Sequence, residues 1–263
     1  MGRLDGRVAI VTGAGLGIGR GIARRFAAEG ASLVVAERDP EAGKRCADEL
    51  EREFGASAEF VPTDVGHKDQ VLAAVDRTAK RFGRIDILVN NAWGGGSVSR
   101  VEKKSDEIME HGFRVGMMSA FWSMNACFPH MRARRWGRIV NLCSLNGVNA
   151  HIGTAEYNTG KEALRALTRT AAREWARHGI CANVICPAAA TTAYAAFAAA
   201  NPKNAAELAA ANPMGRMGDP EADIAGVALF LASEDCRYLT GNTLFVDGGS
   251  HINGVAWAPE LPE

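Results

Sequence analysis

A chain of 263 residues, 47% hydrophobic and 23% charged, has the make-up of a folded protein and a length near the upper end of what one hydrophobic core supports, which excludes intrinsic disorder. Thirty basic side chains balance thirty acidic ones, so no net field draws the chain to nucleic acid or to an anionic membrane surface. The six cysteines form no Cys-x-x-Cys pair and no His/Cys spacing suited to zinc, and no apolar run approaches the roughly 18–20 residues that cross a bilayer.

The expectation is therefore buried, reduced thiols and no metal, and, with no signal-peptide succession after Arg3, Asp5 and Arg7, a cytoplasmic address. From Val8 onward, short apolar β-branched runs alternate with longer segments of helical period. Strands are expected at Val8–Thr12, Ser32–Ala36, Ala58–Pro62, Ile85–Asn90, Gly137–Leu142, Cys181–Cys186 and Thr243–Val246, with helices beginning near Gly17, Pro40, Lys68, Ser105, Tyr157 and Glu221. This alternation reads as α/β, a doubly wound parallel sheet with helices on both faces, since continuously apolar strands need cover on both sides. No linker divides the chain, so 1–263 is taken as a single domain. From Ala188 to Ala211 more than half the residues are alanine, interrupted by Tyr194, Phe197 and Asn201-Pro202. Two short helices around a proline break are expected there, and the segment at about 188–215 reads either as a substrate lid or as an ordinary surface pair. A C-terminal tail, 250–263, carries Trp257 toward a neighbouring subunit.

After the first strand comes Thr12-Gly13-Ala14-Gly15-Leu16-Gly17-Ile18-Gly19. Glycines at 13, 17 and 19 permit a tight turn, close approach of a pyrophosphate and close packing of the next helix, whose free N–H groups face the phosphates. The second strand ends in Glu37, a carboxylate able to accept hydrogen bonds from both hydroxyls of an adenine ribose and to repel a 2′-phosphate. Arg38 argues the other way, because a guanidinium is the natural partner of phosphate. The acid is weighed more heavily, and NAD is expected over NADP.

With these residues in view, the chain resembles the short-chain dehydrogenase/reductase family over nearly its whole length. The T-G-x-x-x-G-x-G loop is joined by Asp64-Val65, Asn90-Asn91-Ala92, Ser144, Tyr157-x-x-x-Lys161, Pro187 and Val246-Asp247-Gly248-Gly249 in the family's order. The resemblance implies one Rossmann-type domain, a homotetramer and a nicotinamide cofactor. It also implies that Gly13, Gly17, Ile18 and Gly19 cradle the cofactor, that Asp64 and Val65 hold the adenine, that Asn91 lines the adenosine ribose side, and that Pro187 and Thr192 meet the nicotinamide end. Lys161 would bind the nicotinamide ribose, and Ser144 would hydrogen-bond the substrate oxygen.

The chemistry also follows from the residues. Hydride transfer to a carbonyl leaves charge on oxygen, which needs a proton donor and a preorganised hydrogen bond. Tyrosine is too weak an acid near neutrality, with an unperturbed pKa of ~10. Lys161, four residues on along the helix, is expected to stabilise the Tyr157 phenolate and lower that value. Ser144, Tyr157 and Lys161 are thus the expected catalytic residues.

Four departures from the family's pattern stand near this centre. Gly116 occupies the position of an Asn that helps hold a water linking the lysine to solvent. Either water fills the vacated space, or Ser119 substitutes, or proton relay is impaired, in which case Gly116→Asn speeds turnover. Trp93 replaces a glycine and either walls the pocket or packs outward. Ala188 and Gly160 replace the glycine after Pro187 and the serine before Lys161. The pocket is expected to be rimmed by Trp93, Leu145, Asn146, Tyr194, Phe197, Met214 and Met217, without a cluster of cations. The substrate read from this lining is a bulky, uncharged secondary alcohol or ketone of cyclic, aromatic or steroid-like type. The alternatives are a 3-oxoacyl thioester reductase and a NAD-binding sensor with little turnover.

Overall fold

The computed structural model describes residues 2–252, so Trp257 and the tail beyond Ile252 lie outside the described residues. Its strands are β1 (Val8–Thr12), β2 (Ser32–Glu37), β3 (Ala58–Pro62), β4 (Ile87–Asn90), β5 (Gly137–Leu142), β6 (Ile180–Pro187) and β7 (Thr243–Val246). They form one sheet in the order β3-β2-β1-β4-β5-β6-β7, every neighbouring pair parallel. The helices between them are α1 (Gly17–Ala28), α2 (Pro40–Phe54), α3 (Lys68–Phe82), α4 (Asp106–Phe113), α5 (Ser119–Arg134), α6 (Leu145–Val148), α7 (Ala155–Trp175), α8 (Thr192–Ala200), α9 (Pro202–Ala211) and α10 (Ala225–Ala232).

Alternation along each strand divides the core in two. Ala9 and Val11 point to the face covered by Ile22 and Phe26 of α1, Leu50 of α2 and Leu229 of α10. Ile10 and Leu88 point to the face covered by Val75 of α3, Met124 of α5 and Leu164 of α7. Each such side chain contributes roughly 1.5–3 kcal/mol by leaving water. All six cysteines are buried and free.

Most expected boundaries agree within two residues; the exception is the helix expected near Glu221, where a π-helical turn, Pro220–Ile224, precedes α10, and the smaller shifts have local causes. The fourth strand starts at Ile87 rather than Ile85, because the Asp86 side chain turns in to accept the Val8 N–H at 2.9 Å and pairs with Arg84 at 2.7 Å. The helix expected from Ser105 begins after it, with the Ser105 hydroxyl capping the first turn. That helix is then interrupted by a π-helical turn, Arg114–Met118, before α5. The alanine-rich segment is two helices broken at Asn201-Pro202, and its two stems are joined by a bridge between Ala189 and Gly218.

The interruption lies where α4 and the π-turn meet α7 backbone to backbone. A Cβ on Gly112 would come 2.6 Å from the Glu156 Cβ, and one on Gly160 would come 2.7 Å from the Gly112 carbonyl oxygen. A Cβ on Gly116 would meet Gly160 Cα at 3.1 Å and the Trp93 ring at 3.3 Å. The space expected beside Gly116 is thus already filled by the indole and by α7. Ser119 does not substitute for the missing amide, because its hydroxyl donates to the Val115 carbonyl of its own helix at 2.7 Å.

Gly160→Ser and Gly116→Asn should each lower stability by about 1–3 kcal/mol through overpacking, despite a gain of up to ~1 kcal/mol in helix propensity. Thermal unfolding of the two variants checks this. An unchanged or higher melting temperature would show that the helices can move apart freely.

Candidate active site

The chain order of the sheet reverses between β1 and β4, and a cleft opens where the loops leaving these strands diverge. Its volume is 730 Å³. At one end stands the turn from β1 into α1. Leu16, preceding α1, offers no side-chain cap, so the first N–H groups of the helix face the cleft without a side-chain partner. Gly17 has a φ of +54°, and a Cβ there would meet nothing nearer than Thr191 at 3.7 Å, so the loop is open on the side where a diphosphate would lie. Gly19 is closed on its other side, where any Cβ would collide with the Gly13 carbonyl.

Asn91 braces this turn from behind. Its amide donates to the Thr12 carbonyl at 2.9 Å and to the Gly13 carbonyl at 3.2 Å, while its own N–H is held by the Thr12 hydroxyl at 2.9 Å. Glu37 Oε2 accepts the Gly15 N–H at 3.0 Å, and Oε1 accepts the N–H groups of Arg38 at 2.8 Å and Asp39 at 3.1 Å. The carboxylate is fixed on the rim with lone pairs to spare. The Arg38 guanidinium is exposed and sits 4.0 Å from the Asp64 carboxylate. Open helix N–H groups, a loop left open at Gly17 and a fixed acid at the second strand end together fit a nicotinamide dinucleotide.

The far end of the cleft gathers the expected catalytic residues. Where β5 ends, Ser144 starts α6, its Oγ accepting the Asn146 N–H at 3.1 Å. Tyr157 and Lys161 lie one turn apart on α7. Lys161 Nζ donates to the Leu142 carbonyl at 2.7 Å and lies 5.7 Å from the centre of the Tyr157 ring.

The electrostatics differ from the expectation. Burial pushes the Tyr157 hydroxyl above the ordinary tyrosine range, outweighing the downward pull of the Ser144 hydrogen bond. Burial also pulls the Lys161 ammonium below its ordinary range. The net direction for Tyr157 is therefore upward rather than downward, since taking either group out of water penalises its charged form. The neighbouring Cys143 thiol, buried beside them, is pushed up to about 12 and is no nucleophile.

Trp93 turns inward. Its ring meets the Tyr157 ring edge-on, centroids 4.6 Å apart and planes at 77°, and packs on Val65, Val71 and Val115. Lys161 Nζ lies 5.7 Å from the indole centre.

Of the residues expected to hold cofactor, Gly13, Gly17, Ile18, Glu37 and Arg38 line the glycine-loop half of the cleft. Asp64, Val65, Asn91, Tyr157, Lys161, Pro187 and Thr192 also line the cleft, whereas Gly19 does not, being packed against Gly13 and Asn91. Six of the seven residues expected to rim the pocket, Leu145, Asn146, Tyr194, Phe197, Met214 and Met217, are not on this wall. Tyr194 donates to the Ala205 carbonyl at 3.4 Å and its ring stands 6.3 Å from Phe197, so this pair packs within the α8–α9 hairpin. Asn146 sits behind Ser144. Met214 is largely exposed.

The wall is built instead by Gly94, Gly96, Ser97, Val98, His111, Thr154 and Glu156 beside Trp93. Nothing local in the sequence marks these residues, because their convergence depends on the path of the loop after β4 and on the close approach of α4 to α7. A larger hollow of 990 Å³, between the C-terminal ends of α5 and α7, is lined by Arg132, Arg169, Arg173 and Arg177 and holds none of the groups above. Among the described residues no group of three or more His, Cys, Asp or Glu is placed to hold a metal ion, and no helix is long and apolar enough to cross a membrane.

Comparison with known proteins accords with this geometry. The family described as Enoyl-(Acyl carrier protein) reductase matches residues 13–251. The 12alpha-hydroxysteroid dehydrogenase of Clostridium sp. is 36% identical over 256 residues, covering 95% of this chain and 98% of that protein. The solved structure of a putative NAD(P) dependent gluconate 5-dehydrogenase from Beutenbergia cavernae, with NADP bound at low occupancy, superposes with a TM-score of 0.88 at 36% identity, covering 95% and 98% of the two chains. That of carveol dehydrogenase from Mycobacterium avium in complex with NAD has a TM-score of 0.89 at 28% identity, covering 96% and 100%. This chain belongs to the short-chain dehydrogenase/reductase family and is an oxidoreductase of its alcohol dehydrogenase/ketoreductase type.

Proposed function

We propose that this protein interconverts a bulky, uncharged secondary alcohol and its ketone, of cyclic, aromatic or steroid-like type, with NAD in preference to NADP. The observation that carries this reading is one cleft with a diphosphate-ready helix start at one end and Tyr157 and Lys161 beside an indole wall at the other, Ser144 following the lining residue Cys143. The names of the relatives, a hydroxysteroid and a carveol dehydrogenase, support a cyclic substrate. The gluconate dehydrogenase likeness points toward a charged one.

The nicotinamide ring, when bound, supplies the carbon that gives or takes hydride. Gly13, Gly17, Ile18 and Gly19 hold the diphosphate, Glu37 the adenine ribose, and Asp64 and Val65 the adenine. Tyr157, kept protonated by burial, gives its proton to the substrate oxygen in reduction and accepts it in oxidation. Ser144 orients that oxygen, and Lys161 is placed to offset charge on the phenol and to hold the second ribose. Trp93, packed edge-on against the Tyr157 ring, excludes water from the reacting carbon. The α8–α9 hairpin, pinned at its stems, acts as the lid. The family resemblance supports a homotetramer as the working assembly.

Tyr157→Phe should lower kcat/KM by about 10²–10⁴-fold with NADH affinity unchanged, read from steady-state rates and fluorescence titration on a panel of cyclic ketones, gluconate-like acids and acetoacetyl thioesters. Equal near-zero rates for both proteins would favour the sensor alternative. A tenfold preference for the acids or thioesters would overturn the substrate class.

Oxidation requires the deprotonated phenol, whose pKa burial raises. Its kcat/KM should therefore climb by up to about tenfold per pH unit from neutral into alkaline solution, while ketone reduction stays level near neutrality and falls only in alkali. Flat profiles in both directions would remove Tyr157 from the proton path.

Glu37→Ala should raise the ratio of NADP to NAD affinity by about tenfold, or 1.4 kcal/mol. An unchanged ratio in titrations with the two cofactors would show that the carboxylate does not discriminate.

A further inference from the structure

The loop from Trp93 to Lys104 contains three consecutive glycines, Gly94-Gly95-Gly96, and such a segment loses much backbone freedom when it is held in one conformation. It nevertheless forms the substrate-side wall of the cleft, and its attachments converge on one residue. The Ser97 N–H donates to Glu156 Oε1 at 2.9 Å, and Lys104 Nζ meets Glu156 Oε2 at 2.6 Å. The same ammonium also donates to the Ser97 carbonyl and, at 3.3 Å, to its hydroxyl. The lysine and glutamate side chains are only 2% and 1% exposed. Elsewhere along the loop, His111 Nε2 bonds the Gly94 carbonyl at 2.9 Å and the Ser99 N–H reaches the Gly153 carbonyl at 3.0 Å.

Taking two charges out of water costs several kcal/mol per ion, and an apolar pair of similar volume often stabilises a fold as well or better. The ion pair therefore contributes something other than cohesion, namely a fixed geometry. Glu156 directly precedes Tyr157 in the first turns of α7, and it fits against α4 because Gly112 has no side chain there. Burial pushes the Glu156 carboxyl upward, but the ammonium of Lys104 and the hydrogen bond from the Ser97 N–H bring it below the ordinary glutamate range and keep it charged. The loop is thereby referenced to the residue next to the proton donor, with Trp93 carried at its start.

We propose that Lys104 and Glu156 are positioning residues that clamp the Trp93–Lys104 loop to the catalytic helix and so determine which alcohol or ketone the site accepts. This specificity role rests on the oxidoreductase reading above; the clamp itself does not.

Two measurements on Lys104→Met test it. Hydrogen–deuterium exchange reads the loop without turnover, and amides of 94–104 should exchange about tenfold faster or more while peptides from β1, α1 and β5 keep their wild-type rates. Steady-state reduction with NADH of a decalone, cyclohexanone and acetone reads the site. KM for the decalone should rise about fivefold or more, with kcat within about threefold, acetone little changed and NADH affinity unaffected.

Should Lys104→Met fail to fold around a lone buried carboxylate, Glu156→Gln/Lys104→Met removes both charges and should show the same two effects. Wild-type exchange in the loop, or faster exchange throughout the molecule, would overturn the clamp. Faster loop exchange with an unaltered order of KM values would overturn its role in specificity. A wild-type protein inert toward all three ketones would defeat the oxidoreductase reading and with it the specificity role, while the exchange measurement would still judge the clamp.

Discussion

All seven strands run parallel, and this forces every loop leaving a strand's carboxyl end onto one edge of the sheet. The turn after β1, the acid ending β2, Asn91 after β4, Ser144 after β5 and Pro187 at the end of β6 meet there although they are scattered over the sequence. The hydrogen-bonded ladder sets their mutual spacing, and the reversal of chain order between β1 and β4 leaves room between them. The chemistry proposed for the cleft depends on this arrangement, since no single segment carries more than two of the reacting groups.

The second constraint is desolvation. Tyr157 and Lys161 are held in a region sheltered by Trp93, β5 and the loop after β4, and burial moves their pKa values in opposite directions toward the neutral forms. Spacing along a helix predicts an ammonium assisting a phenolate, but that prediction ignores the loss of water on both groups. What the arrangement favours is a protonated phenol, with a lysine anchored on the Leu142 carbonyl one turn away. Such a phenol suits proton donation to a developing alkoxide.

The departures from the family pattern are coupled in space. The indole of Trp93 occupies the side of Gly116 where an amide is usual, and Gly116 and Gly160 together let α7 approach the π-turn closely. Gly112 makes the same allowance for Glu156, which in turn holds the loop that carries Trp93. A larger residue at any one of these glycines would displace a neighbour that the others support, so this corner of the molecule is a single packed unit.

The sequence by itself determined the strands, the parallel class of the sheet and the glycine loop, because each is written in contiguous periodicity or in fixed spacing on one element, and it paired Tyr157 with Lys161 by their spacing on one helix, while Ser144 was named by the family resemblance. It also located the break in the alanine-rich segment, where Pro202 cannot continue a helix. Only the tertiary structure decided that Tyr194 and Phe197 face each other within the α8–α9 hairpin, that Trp93 turns inward, and that Lys104, Ser97 and Glu156 meet. Those outcomes depend on how far two helices approach and on the course of a glycine-rich loop, and both are set by contacts between residues distant in the chain.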